Sequence, residues 1–308
     1  MDERTHAPKK ITAEDINPRY NWGRHLPVLG TMGVDFEERV DYRRLHRYRL
    51  GRAQAAVQAT RPYAEKMIEV LQTAGERATE YKHPFLVRRE GKRAVMILVT
   101  TDKGLCGAIN VNNIRAATRY MNEHHTEGQR YVTIGRKGRD FLLRYRREVI
   151  AEVSGVSDRP TVAEIMPAIT VALEEYSKGR TDAVLLCYSK WISTMKQEPV
   201  VSVLIPAEIP GRGDESKGPR ADYIYEPDPE SVLDGLLPRY VETQVFQAVL
   251  ENKASEYSAK MIAMQNATNA AGDLIDALTL YANKVRQAGI TTELMEIVSG
   301  AEAMRASS

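Results

Sequence analysis

Residues 101 to 110 read TDKGLCGAIN, between the apolar run RAVMILVT (93 to 100) and the helix-like VNNIRAATRYMNEHH. Two glycines and a cysteine between a strand and a helix can serve as a phosphate cradle, a nucleophile site or a tight turn. A P-loop needs G-x-x-x-x-G-K-[ST], and GLCG lacks both the spacing and the lysine; a dinucleotide fingerprint needs G-x-G-x-x-G, which is also missing. The backbone N–H groups of Leu105 to Ala108 keep the capacity to hold an anion at the start of a helix. Cys106 as a nucleophile would need a base, and nothing nearby marks one of the six histidines for that work. An anion-holding turn and a purely structural turn stay open.

The basic clusters RRLHRYRLGR and GRKGRDFLLRYRRE are the other candidates for chemistry. No stacking platform of regularly interleaved aromatics accompanies them, so they read as solvated or partner-facing charge rather than a nucleic-acid site. Met261, Met264 and Met304 read as packing residues, because methionine fills irregular gaps. A net charge of +2 over 308 residues gives no global field toward nucleic acid or an anionic membrane. Cys106 and Cys187 are far apart in strand-like surroundings, which predicts free thiols in a reducing compartment. The longest apolar run, AVMILV, is far below the roughly 20 residues that span a bilayer, and MDERTHAPKK has no apolar core of the kind a signal peptide needs.

These residues must be positioned by larger elements. Residues 1 to 48 contain Pro8, Pro18, Gly23, Pro27, Gly30 and Gly33 and are expected to be loop with at most short helices. A helix is expected over 49 to 90, with a kink at Pro62. From 91 to 206, strand-like and helix-like runs alternate: RAVMILVT, NNIRAATRYMNEH, RYVTIG, GRDFLLRY, TVAEIMPAITVALEEYSKG, TDAVLLCYS and EPVVSVLIP. That alternation predicts βαβ units, a largely parallel sheet and a small Rossmann-like α/β domain. Residues 207 to 236, dense in Pro, Gly and charge, are expected to form a linker with one short strand near DYIYEP.

A long helix is expected over 237 to 308. Within it, Tyr257, Met261, Met264, Thr268, Ala271, Ile275, Leu278, Ala282, Val285 and Gly289 recur at alternating steps of four and three. This is the 3.5-residue period of a supercoiled helix. The seam mixes small and large residues, which lets a partner helix approach closely. At about 1.5 Å per residue, some 60 residues give a rod of roughly 90 Å.

RPYAEKM, EYKHPFL, TDKGLCGAIN and above all MIAMQNATNAAGDLIDALTLYANKVRQAGITTELMEIVSGAEAM resemble the γ subunit family of F-type ATP synthases, over about residues 50 to 308. The resemblance implies a long antiparallel coiled coil of terminal helices plus the small α/β domain. It also implies a non-catalytic rotor that couples proton flow to ATP synthesis in the β subunits, with no cofactor. The implied partners are the α and β subunits, ε and the membrane c-ring, with no nucleic acid. Its implied place is the cytoplasmic face of a bacterial membrane, reached through the complex only. On this resemblance Gly104, Leu105, Cys106 and Gly107 face β, while Arg286, Gln287, Thr291 and Glu293 contact loops of the α and β subunits.

The family's N-terminal basic helix, of the form ITxAMxMVAxxKLRRAQ, survives only in its tail RLGRAQ. Residues 1 to 48 are therefore a divergent terminus, a wrong start site or the product of a frame error, and the abrupt return of the match favours the last two. Two other classes stay open: a coiled-coil scaffold that dimerises through its seam, and an α/β nucleotide-binding enzyme with a helical oligomerisation arm.

Overall fold

A computed structural model describes residues 36–77, 83–207 and 228–306. The chain divides into two compact units: His46–Ala263, and the chain ends, whose described parts are 36–45 and 264–306.

Helix α1 spans Phe36–Arg77 and continues through Pro62. Residues 36 to 48 are therefore helical, not the loop expected for 1 to 48. The breakers stop at Gly33, and no proline or glycine follows until Gly51, so nothing interrupts the ladder over that stretch. Beyond Pro84–Leu86, a single 3₁₀ turn, come β1 (Arg93–Val99), α2 (Ile109–His124), β2 (Glu127–Ile134) and α3 (Arg136–Arg144). Then follow β3 (Glu148–Val153), α4 (Val162–Ser177), β4 (Ala183–Trp191), β5 (Gln197–Ile205) and α5 (Pro229–Ala306).

The strand order is β3-β2-β1-β4-β5. Strand β1 pairs in parallel with β2 and β4, β2 in parallel with β3, and β4 antiparallel with β5. The central strand is buried from Ala94 to Val99, and its alternate residues feed two cores. Ala94, Met96 and Leu98 pack with Ile114, Ala117 and Met121 of α2. Val95, Ile97 and Val99 join the second core, which includes Ile165 and Ile169 of α4 and Val241 of α5. A strand covered on both faces must be apolar at every position, which is why RAVMILV shows no alternation.

Helix α5 starts at Pro229, inside the stretch expected to be linker. Proline suits a first helical position because its missing N–H would have had no partner there. Asp228 caps it by accepting from Ser231 N and Oγ, both at 2.8 Å. The strand expected near DYIYEP lies outside the described residues. No helix among the described residues is long and apolar enough to cross a membrane.

At the amino end of the sheet, Asp182 accepts from Arg93 Nε at 3.0 Å, Arg93 Nη2 at 2.8 Å and Arg93 N at 3.2 Å. The Arg93 guanidinium holds this carboxyl below its ordinary value. A depressed carboxylate contributes stability that is complete above the unfolded value of about 3.9 and is lost as pH falls through the lower folded value. Arg93→Ala should therefore be less stable than the parent at neutral pH, with the gap closing below about pH 4. Denaturant midpoints across pH check this, and a pH-independent gap would contradict the pairing.

Candidate functional site

The loop after β1 is fixed by its own side chains. Asn110, in the first turn of α2, accepts from Thr101 N at 3.0 Å and donates to Thr101 Oγ1 at 2.8 Å and Cys106 Sγ at 3.3 Å. Asp102 accepts from Arg136 N and Gly155 N, each at 3.1 Å, which ties the loop to α3 and to the turn after β3. Leu105 and Gly107 lie in the left-handed region, with φ of 60° and 59°. For Gly107 this is free of side-chain cost; for Leu105 it is sterically unfavourable. The result is an arc in which Lys103, Gly104, Leu105 and Gly107 are exposed, Leu105 at 74%.

Cys106 does not share that surface. Its side chain is 2% exposed and packs with Ile109 and Ala259 of α5. The expectation that it faces a partner is therefore corrected: the reversal of direction between Leu105 and Gly107 turns Leu105 outward and the thiol inward. Burial raises the Cys106 thiol above its ordinary value, and burial pushes Cys187 up to about 12. Reactivity follows the thiolate. Both thiols should resist iodoacetamide at pH 7.5 in the folded chain and react once it is unfolded in guanidinium. Rapid native labelling of Cys106 would contradict the loop geometry.

In the unit formed by the chain ends, α5 carries the seam from Met264 onward. Thr268, Ala271, Ile275, Leu278, Ala282, Val285 and Gly289 are half-buried, as are Met261 and Met264; apart from Gly272, every other residue from 265 to 290 is exposed. The stripe thus coincides with the four-and-three spacing. After Gly289 the stripe ends, and all residues from 290 to 305 are exposed. Met304, expected to pack, is 73% exposed for this reason.

Arg286, Gln287, Thr291 and Glu293 lie at this transition and are all exposed. Arg286 Nη2 donates to Asn283 Oδ1 at 3.0 Å, and Thr291 Oγ1 donates to Gln287 O at 2.9 Å. Thr291 therefore spends its hydroxyl proton on its own helix. The Gln287 amide points from an exposed helix surface. The structure presents these side chains on one short helical segment.

Sequence reasoning missed a row of polar residues on α5. Asn252, Ser255 and Ser258 are buried, and each is hydrogen-bonded to another element. Their spacing of three, small or amide side chains among the charged residues of LENKASEYSAK, is the signal that could have found them.

A sequence model of the family described as ATP synthase matches residues 45–304. The ATP synthase gamma chain of Acidovorax sp. (strain JS42) is 46% identical over 258 residues, covering 83% of this chain and 90% of that one. The gamma chain of Variovorax paradoxus (strain S110) is 46% identical over 257 residues, covering 83% and 88%. Among solved structures, a chain from the central stalk and c-ring of Tetrahymena thermophila mitochondrial ATP synthase superposes with a TM-score of 0.56 at 19% identity. That superposition covers 74% of this chain and 98% of the other. A chain of the Euglena gracilis mitochondrial ATP synthase, in rotational state 3, gives 0.52 at 17% identity, covering 86% and 95%. The structural likeness shows the shared fold, and the sequence likeness carries the assignment: the chain belongs to the ATP synthase gamma chain family.

Proposed function

We propose that the chain is the central rotor shaft of a proton-driven F-type ATP synthase, coupling proton flow to ATP synthesis in the β subunits without making or breaking bonds itself. The observation that carries the reading is the half-buried four-and-three stripe from Met264 to Gly289 on the exposed part of α5, in a chain of this family. A shaft needs torsional stiffness and a surface to push with. Two helices joined along a seam supply the first. The exposed segment after Gly289 supplies the second.

In this reading the α and β subunits surround the upper part of α5, and Arg286, Gln287, Thr291 and Glu293 meet their loops in turn. Leu105, with Gly104 and Gly107, meets β. The α/β domain, residues 91 to 206, forms the base, and with the segment 207 to 222, most of which lies outside the described residues, it meets ε and the c-ring. The coiled-coil helices are Phe36–Arg77 and Pro229–Ala306: both start earlier than expected, and the first does not reach 90, because His83 and Pro84 open a 3₁₀ turn and residues 87 to 92 are irregular. The chain needs no cofactor, binds no nucleic acid, and sits on the cytoplasmic face of a bacterial membrane through the complex.

Sedimentation tests the reading against a homodimerising scaffold. Alone, the chain should be monomeric or should aggregate; mixed with the matching α and β subunits, it should enter a particle with three of each. A stable dimer that ignores α and β would overturn it.

A further inference from the structure

The strand order places a topological switch point between β1 and β4. The chain leaves β1 for β2 on one side and returns to β4 on the other. In open α/β sheets, the crevice at the carboxyl ends of such strands is where ligands bind. Here α5 fills it. Asn113 of α2 donates from Nδ2 to Val99 O at the end of β1, at 3.1 Å, and to Asn252 Oδ1 of α5, at 3.2 Å. The same Asn252 oxygen accepts from Ser189 N of β4 at 3.2 Å. One turn on, Ser255 Oγ donates to Ser189 O at 3.0 Å. A further turn on, Ser258 Oγ accepts from Trp191 Nε1 at 3.0 Å. Asn113, Asn252, Ser255 and Ser258 are each at most 2% exposed.

We propose that this row is a torsional lock: Asn252, Ser255 and Ser258 fix the rotation of α5 about its own axis against β4 and α2, so that torque on the α/β domain reaches the shaft without slip. The inference rests on the rotor reading and names the residues that transmit its torque. The apolar contacts of α5 are non-directional and tolerate small rotations of the helix. Hydrogen bonds are directional and weaken steeply with angle. Rotating α5 would also strand buried polar groups far from water, which costs more than the bonds themselves contribute. The helix continues without interruption to Ala306, so the row and the half-buried stripe lie on one element. Asn252, Ser255 and Ser258 are positioning residues and touch no substrate.

The test uses the whole complex assembled with either the parent chain or the Ser255→Ala/Trp191→Phe chain. Two readouts are taken: the angular variance of a rod attached to the α/β domain while the hexamer is held still, and ATP-driven proton pumping relative to ATP hydrolysed. The double variant removes two of the four bonds to β4 and α2, and parallel stiffnesses add, so the variance should rise by up to about twofold. Pumping per ATP should fall while hydrolysis persists, and Ser255→Thr, which keeps the hydroxyl, should behave as the parent. Unchanged variance and pumping in the variant would overturn the lock. If the double variant fails to assemble, Ser255→Ala and Trp191→Phe alone decide it on the same readouts. A parent complex that never rotates under ATP would instead overturn the rotor reading.

Discussion

Gly135→Ala should destabilise the α/β domain by roughly 4 kcal/mol, combining backbone strain with overpacking. Gly135 joins β2 to α3 at φ 105°, ψ 141°, a region close to glycine-only. A methyl group there would lie 2.3 Å from the Thr100 carbonyl oxygen and 2.9 Å from Thr100 Oγ1. Neither neighbour is free to yield. Thr100 N donates to Ile134 O and Gly135 N to Val153 O, each at 2.8 Å, and Thr100 Oγ1 accepts from Gly138 N at 2.9 Å. These bonds stitch together the carboxyl ends of β1, β2 and β3. Gly179→Ala is the control. It also has positive φ, at 69°, but open space around its Cβ, so it should cost only about 1 kcal/mol. Denaturant midpoints for the two variants check the difference, and equal losses would remove the steric part of the argument.

Gln287→Leu combined with Glu293→Ala should lower ATP synthesis and ATP hydrolysis together, while helix content and assembly stay as in the parent. Both side chains are exposed on a helical segment outside the half-buried stripe, so folding loses little when they change. Contacts made and broken on each turn contribute about 1 kcal/mol apiece, or about fivefold in rate, and up to about 3 kcal/mol where a charge takes part. The pair should therefore slow turnover by roughly 25-fold or more. Full turnover in a reconstituted complex would show that the shaft works by shape alone.

What could be read from the sequence depended on whether the signal was local. The seam was legible because a 3.5-residue period survives in the order of residues alone, and the half-burial of Thr268 through Gly289 follows it position by position. Strand β1 was legible as an unbroken apolar run. Strand β3, EVIAEV, was missed because it is a short edge strand whose residues are only partly buried. The start of α1 was missed because the breakers of residues 8 to 33 were allowed to speak for the whole stretch to 48. The inward turn of Cys106 depends on positive φ at Leu105 and Gly107, which a leucine codon does not announce. The polar row on α5 was the least legible, since the partners of Asn252 and Ser255 lie 63 to 139 residues away along the chain.

A rotor of the kind proposed carries energy between a proton gradient and catalysis on other subunits. The direct measurement is ATP synthesis by vesicles holding the complete complex, driven by an imposed proton gradient, with and without this chain. Synthesis should occur only when the chain is present, and should be abolished when α5 is truncated after Met261. Residual hydrolysis by the α and β subunits should survive the truncation but no longer acidify the vesicles. Gradient-driven synthesis at the parent rate with the truncated chain would contradict the account.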